Sequence, residues 1–265
     1  MDVLTFNLNN PSRQRAERQL AWLADRQQHV LVLTETAPSD GCEFLAARFE
    51  AAGYRVVFPR PGKGERGVMI VSRLPVEDPG TRFGYLPHRG VSVTVATTAG
   101  PLDIIGLYVP SRDATAPKTE RKRRFLQEAS AAIPAGTTGN RIVIGDFNIL
   151  EPKHEPRYPF FKPFEYAFYE GLEAAGYCDA FRHQHPQAAQ YSWVGRTGDG
   201  YRYDHAHVSA SLTYALRGCL YLHEPRTRTD RLTDHSALAV QLDVTPTTQL
   251  PVSDPTTPAT AGALF

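Results

Sequence analysis

Short apolar runs recur along the chain, and each stops abruptly at polar residues. The sharpest is RIVIGDFNIL, residues 141–150, where Ile142, Val143 and Ile144 predict a buried strand. Gly145, Asp146 and Asn148 follow at once. Similar runs predict strands over residues 3–6, 29–34, 54–58, 65–73, 102–109, 202–208, 215–222 and 236–242. Residues 91–97 alternate apolar and polar, as a half-buried strand does. Helices are predicted over 12–27 with Ser12 as N-cap, 43–52 closed by Gly53, 119–133, and 164–175 ended by Gly176. Strands outnumber helices, and helices fall between runs of strands. That order predicts an α+β fold with two packed sheets and helices outside, rather than a singly wound parallel sheet.

A chain of 265 residues accommodates one large domain, expected over 1–244. The rest, 245–265, is rich in Pro, Thr and Ala without periodicity and is expected to be a disordered tail. A net charge of +1 excludes a bulk basic field, so nucleic-acid binding would need a local patch. Cys42, Cys178 and Cys219 form no metal or disulfide pattern. The start, MDVLTFN, lacks a signal-peptide core, and no run approaches the roughly 18 apolar residues of a membrane span. A cytoplasmic, soluble protein without membrane contact is expected.

The polar residues fall at comparable places. Asn7 follows LTF, Glu35 follows VLVLT, and Tyr108 ends IIGLY. Asp146 and Asn148 follow IVIG, Asp204 lies in YRYDHAHV, and Asp234 and His235 precede SALAV. A single strand-end Asp or Asn is usually a turn former or cap. Strands of one sandwich, however, bring their ends to a common rim. In extended chain Asp146 and Asn148 project to one side, and Gly145 permits close backbone approach. Hard oxygen ligands suit Mg²⁺ or Mn²⁺, and crowded carboxylates call for a divalent counter-charge. Such a set can activate water against a phosphate, with aspartate as base and imidazolium, tyrosine and asparagine as donors. Two echoes, TFNLN (5–9) with DFNIL (146–150) and DH at 204–205 and 234–235, hint at similar halves.

The ordered motifs LTFNLN, VLTET, RGVMIVSR, GLYVPSRD, IVIGDFN, DAFRHQHP, YSW, YRYDHAHVS and TDHSALAV resemble the endonuclease/exonuclease/phosphatase superfamily, in its exonuclease III (abasic-site endonuclease) branch. The resemblance runs from Met1 to Leu242 and implies a four-layer αββα sandwich. It implies Glu35 as principal metal ligand, with Asn7 nearby and Asp234 as a second metal-side carboxylate. Asp146 would orient or deprotonate the attacking water, with Asn148 holding it. Tyr108 would contact the scissile phosphate. His235 would donate to a phosphate oxygen, and Asp204 would orient that histidine or touch the metal. Mg²⁺ (or Mn²⁺) is the implied cofactor. DNA is the implied partner, as duplex with an abasic site or a 3′ end, and the protein is expected to act as a monomer.

Arg73, Arg112, Lys122 and Trp193 are the expected substrate contacts. The stretch PKTERKRR, 117–124, with five basic residues and one acidic, reads either as a solvated helix face or as a phosphate-tracking patch. Trp193 would stack on a sugar or base, or pack as a rim residue. The abasic-site enzymes carry a longer loop between the counterparts of Trp193 and Asp204, whereas VGRTGDGYRY is short and glycine-rich. The segment EPKHEPRYPFFKPF is aromatic and proline-rich, either a substrate-side loop or a packed one. The shared fold leaves two alternatives: phosphoester cleavage of RNA, a nucleotide or a lipid headgroup, and a non-catalytic binding module.

Overall fold

The computed structural model describes residues 1–80 and 82–257. In chain order its elements are β1 (Asp2–Asn7), α1 (Arg13–Ala24), β2 (Val30–Thr36), α2 (Asp40–Ala51), β3 (Arg55–Val57), β4 (Gly67–Ser72), β5 (Gly90–Thr97) and β6 (Gly100–Tyr108). Then come α3 (Ala116–Ala132), β7 (Asn140–Asp146), α4 (Pro163–Ala174), β8 (Tyr177–Asp179), α5 (Ala180–Gln184), β9 (Trp193–Val194) and β10 (Gly200–Tyr201). The last are β11 (Asp204–Ser209), α6 (Ala210–Thr213), β12 (Leu216–Leu222), α7 (Glu224–Thr227) and β13 (Ala237–Leu242). One sheet has six strands, ordered β12-β13-β1-β2-β4-β3, and the other has five, ordered β5-β6-β7-β11-β8.

Alternation along each strand explains the layering. Val30 and Val32 point between the sheets, and so do Val68, Ile70, Ile104, Ile142 and Ile144. Their neighbours Leu31, Leu33, Met69 and Val71 point outward, where Leu20, Leu23, Leu45 and Phe49 of α1 and α2 cover them. On the second sheet Ile105, Leu107 and Val143 meet Phe125, Leu126, Phe168 and Leu172 of α3 and α4. Both faces of each sheet are buried, so these strands read as continuous apolar runs. The αββα sandwich expected from the sequence is the fold.

Two βαβ units organise the sheets. β1 and β2 pair in parallel around α1, and β6 and β7 pair in parallel around α3. The halves are therefore real in topology, but β1 corresponds to β6 and β2 to β7. The short echo between residues 5–9 and 146–150 matched β1 with β7 instead. Element bounds shift by a few residues: α2 begins earlier because Ser39 caps it, and α3 because Pro117 lies in its first turn. The strand β8, the hairpin β9–β10 and the helices α5, α6 and α7 are too short to carry a periodic signal.

The disordered tail is corrected for its described part. Residues 245–257 cross the end of the sandwich and close in a turn over 255–257. Thr98 N donates to Thr245 O at 2.9 Å, Thr247 N to Ala96 O at 3.1 Å, Leu250 N to Arg73 O at 2.9 Å, and Ser253 N to Ala52 O at 2.8 Å. Backbone bonds to exposed strand and helix ends hold this strap, and they need no apolar pattern. Residues 258–265 lie outside the described residues.

Candidate active site

Parallel pairing sets strand carboxyl ends side by side, and there the strand-end residues gather. Tyr108 and Asp146 are partners in register across β6 and β7, and Asp204 at the start of β11 is the partner of Asp146 on its other side. Gly145 sits at φ 149°, and a Cβ there would come within 2.0 Å of Leu107 O, so only glycine admits this close approach. From the facing sheet, Asn7 Nδ2 donates to Asp146 Oδ2 at 2.9 Å. Asn148 completes the clamp: its backbone N donates to Asp146 Oδ1 at 2.9 Å and its Nδ2 to Oδ2 at 3.2 Å.

Two of the expected site residues sit in left-handed backbone. Glu35 has φ 53°, within a register slip of β2 between Thr34 and Thr36. Asn148 has φ 49°. A bulge of this kind re-aims a side chain, and such backbone costs about 1–3 kcal/mol per residue. Asn148 is fixed by Nδ2 donating to Val109 O at 3.1 Å and by Lys122 Nζ donating to its carbonyl at 2.5 Å.

His235 and Asp204 form a buried pair, Nδ1 to Oδ2 at 2.7 Å. Ser192 Oγ accepts from Tyr203 N at 3.0 Å and Asp204 N at 3.1 Å, and Tyr221 OH donates to Asp204 O at 2.6 Å, so the aspartate is anchored through its backbone. Burial disfavours the His235 cation, but Asp204, with Asp146 and Asp234 behind it, overrides burial and pushes the imidazole up to about 10. Burial and then the Asp204 charge, against the pull of His235, raise Asp146 to about 8. Burial, then the charges of Glu35 and Asp146, hold the Tyr108 hydroxyl well above its ordinary range, so it stays protonated.

Asp234 accepts from Asn9 Nδ2 at 2.9 Å and from Trp193 Nε1 at 3.0 Å. Trp193 is thus a rim residue with its N–H satisfied, packed against Tyr201 and Tyr203 at ring centroid distances of 5.4 and 6.0 Å. The short loop after it folds as the β9–β10 hairpin, braced by the 151–161 segment: His154 Nε2 and Tyr158 OH lie 3.1 and 3.3 Å from Gly200 O.

Of the expected substrate contacts, Arg73 leaves the site, whereas Lys122 and Arg112 line the cavity but are held in a buried ion group. Arg73 follows β4, which runs antiparallel to β2, so it lies at the opposite rim, where it donates to Arg26 O and Tyr54 OH. Lys122 is buried and paired with Glu165 Oε1 at 2.7 Å, so it does not track phosphates from the surface. Arg112 borders the site, but its guanidinium is committed to Glu165 Oε2 at 2.6 Å, with a side chain only 1% exposed. The other four basic residues of the stretch are engaged as well: Lys118 with Asp113, Arg121 with Glu65, Arg123 with Glu120, and Arg124 against the Tyr85 ring. Sequence reasoning missed Glu165 and Asn9. Glu165 sits three residues after Lys162 in a capping position, a signal that was legible but ordinary. Asn9 carried none beyond its place in LTFNLN.

Glu35, Asn148, Asp234 and His235 line a cavity of about 250 Å³, walled by Trp193 and Tyr203. A larger cavity of about 520 Å³ lies behind the 151–155 segment, between Glu151, His154, Tyr169 and Arg182. It holds none of the strand-end residues, so the chemistry belongs to the smaller one. Ligand atoms of Asp146, Asp204 and His235 lie within 4.8 Å of one another, a grouping that could hold a metal ion. Asp204 Oδ1 is buried without a hydrogen-bond partner, and Asp146 is crowded by like charge. These oxygens fit a divalent cation.

No curated protein sequence matches the chain. Among solved structures, the 3′ phosphatase NExo from Neisseria, bound to a product DNA hairpin, is 25% identical over 92% of this chain and 99% of its own, with a TM-score of 0.79. The 3′-5′ exonuclease NExo from Neisseria meningitidis is 25% identical over 92% and 100%, with a TM-score of 0.77. An AP endonuclease from Archaeoglobus fulgidus, 24% identical over 92% and 99% with a TM-score of 0.76, shows the same fold. These neighbours are of the kind that the exonuclease III resemblance implies. Residues 4–235 match the endonuclease/exonuclease/phosphatase family, and the chain belongs to that family.

Proposed function

We propose that the chain is a Mg²⁺- or Mn²⁺-dependent phosphodiester hydrolase acting on DNA, cutting at 3′ ends or at abasic sites, as expected for DNA repair. The observation that carries the reading is the Asp146 carboxylate, clamped by Asn7 and Asn148 and facing the Asp204–His235 pair in one buried cluster. The DNA-processing neighbours support the substrate class.

Glu35 and Asp234 would hold the metal, with Asp146 and the free Asp204 Oδ1 close by. His235 is assigned to the phosphate instead, with its Nδ1 committed to Asp204 at 2.7 Å. When bound, the metal neutralises the carboxylate crowd and polarises the phosphate. Asp146 orients the attacking water and takes its proton. His235, with Nδ1 held by Asp204, donates from Nε2 to a phosphate oxygen. Tyr108 donates its hydroxyl, and the Asn148 amide steadies both Asp146 and the phosphate. Asn7 acts by orienting Asp146, since its Nδ2 is committed there.

The test offers labelled duplex with one abasic site, plain duplex, single strand, RNA and small phosphoesters, with and without Mg²⁺. Metal-dependent DNA cleavage is expected. Turnover of a small phosphoester with no DNA cleaved would overturn the substrate assignment. No turnover of any substrate would favour a binding module.

A further inference from the structure

We propose that Phe160 is a stacking subsite for the base of the nucleotide flanking the scissile phosphate, and that it selects DNA in which this base is unpaired. The inference rests on the DNA-cleaving reading above. The other rings of this aromatic segment are engaged: Phe161 is buried, the half-buried Tyr158 stacks on Tyr201 at 4.4 Å, and the half-buried Phe164 lies under the Arg123 guanidinium. Phe160 alone among them is 43% exposed, and it borders the same cavity as Glu35, Asn148 and His235.

An apolar ring on a loop beside water would ordinarily fold away. This one is held in place. The Arg112 guanidinium covers one face at 4.1 Å from the ring centroid, and the same guanidinium donates to Phe160 O. The Phe161 ring meets it edge-on at 89°, with centroids 5.6 Å apart. Arg112 is itself fixed by Glu165, which holds Lys122 on its other oxygen, and Lys122 in turn holds the Asn148 carbonyl. One buried ion triad therefore sets both a catalytic-site asparagine and an exposed aromatic ring. Arg112 covers one face and Phe160 is still 43% exposed, so the face away from Arg112 is the one a base would meet.

A π-face beside a phosphate-cleaving cavity fits a nucleobase, because every base has a face to stack and no sequence readout is required. A base inside a duplex already stacks on its neighbours and must be unstacked first. A frayed 3′ end or a single strand presents its base at no such cost.

The experiment compares Phe160→Ala and Phe160→Trp with the unaltered protein on single-stranded and duplex oligonucleotides with Mg²⁺. Phe160→Ala is expected to raise KM for single strands roughly tenfold, the order of a lost base–aromatic stack. A much smaller change in kcat is expected, and Phe160→Trp should restore KM. In parallel, a 3′-terminal 2-aminopurine is titrated with Asp146→Asn and with Asp146→Asn/Phe160→Ala. Quenching on binding should occur only with Phe160 present. Unchanged KM and equal quenching, in an Ala variant that melts like the parent, would overturn the subsite. The fluorescence arm needs no cleavage, so it separates failure of this inference from failure of the DNA-cleaving reading.

Discussion

Asp204 Oδ2 lies 2.7 Å from His235 Nδ1, with both side chains buried, and the aspartate enters from β11 while the histidine precedes β13 of the facing sheet. The pair fixes which imidazole nitrogen faces the cavity. Asp204→Asn should keep the shape but remove the charge that holds His235 protonated. A fall in kcat on the order of a hundredfold or more is expected. Because the two act as a unit, Asp204→Ala/His235→Ala should cost little more than the worse single variant. Additive losses in steady-state kinetics would show that they act separately.

Asn7 reaches Asp146 from the other sheet. Asn7→Ala removes one donor from the carboxylate and should lower kcat by roughly ten- to a hundredfold, with the fold retained. Circular dichroism alongside kinetics checks this. An active Asn7→Ala variant would mean that Asn148 suffices to orient Asp146. Asp146→Asn should abolish turnover while leaving DNA binding measurable, and retained activity would remove Asp146 as the base.

Lys122, Glu165 and Arg112 are mutually dependent because all three are buried. Glu165→Gln strands two cations, and breaking a buried pair in this way costs about 3–5 kcal/mol. Urea unfolding should show that loss, and a variant within 1 kcal/mol of the parent, roughly the worth of a surface ion pair, would contradict the burial argument.

Glu151 should govern part of the acid stability. Burial opposes its charge, but Arg182 and Arg202 overcome burial and lower its pKa to about 2. A depressed carboxylate stabilises the fold fully above its unfolded value, near 4.5, and that contribution fades as pH falls toward 2. The size is on the order of 3 kcal/mol. Urea midpoints measured against pH should show Glu151→Gln less stable at pH 6, with the gap closing below pH 4. A constant gap would place the effect elsewhere.

The strap over 245–257 lies at the rim opposite the active site. Truncation after residue 244 should lower the stability by about 2–5 kcal/mol, from several backbone bonds at roughly 1 kcal/mol each. It should leave kcat/KM unchanged. Thermal melting with an unchanged midpoint would restore the expectation of a disordered tail.

The sequence by itself determined the layering, because runs apolar on both faces, such as residues 142–144, must lie inside a sandwich. It also determined the reaction class, since strand ends carry Asn7, Glu35, Tyr108, Asp146, Asp204 and His235, and parallel pairing brings such ends together. Tertiary structure alone decided the partners. Lys122 and Arg112 read as surface cations until Glu165 was found between them, and a buried carboxylate turns basic residues into structural ones. Arg73 left the site because β4 runs antiparallel to β2, a direction that no local signal records. Phe160 looked like its neighbouring aromatics until packing covered them wholly or in part and left it 43% exposed beside the cavity. Charge and periodicity are local properties of the chain, whereas burial and pairing depend on what the rest of the fold brings alongside.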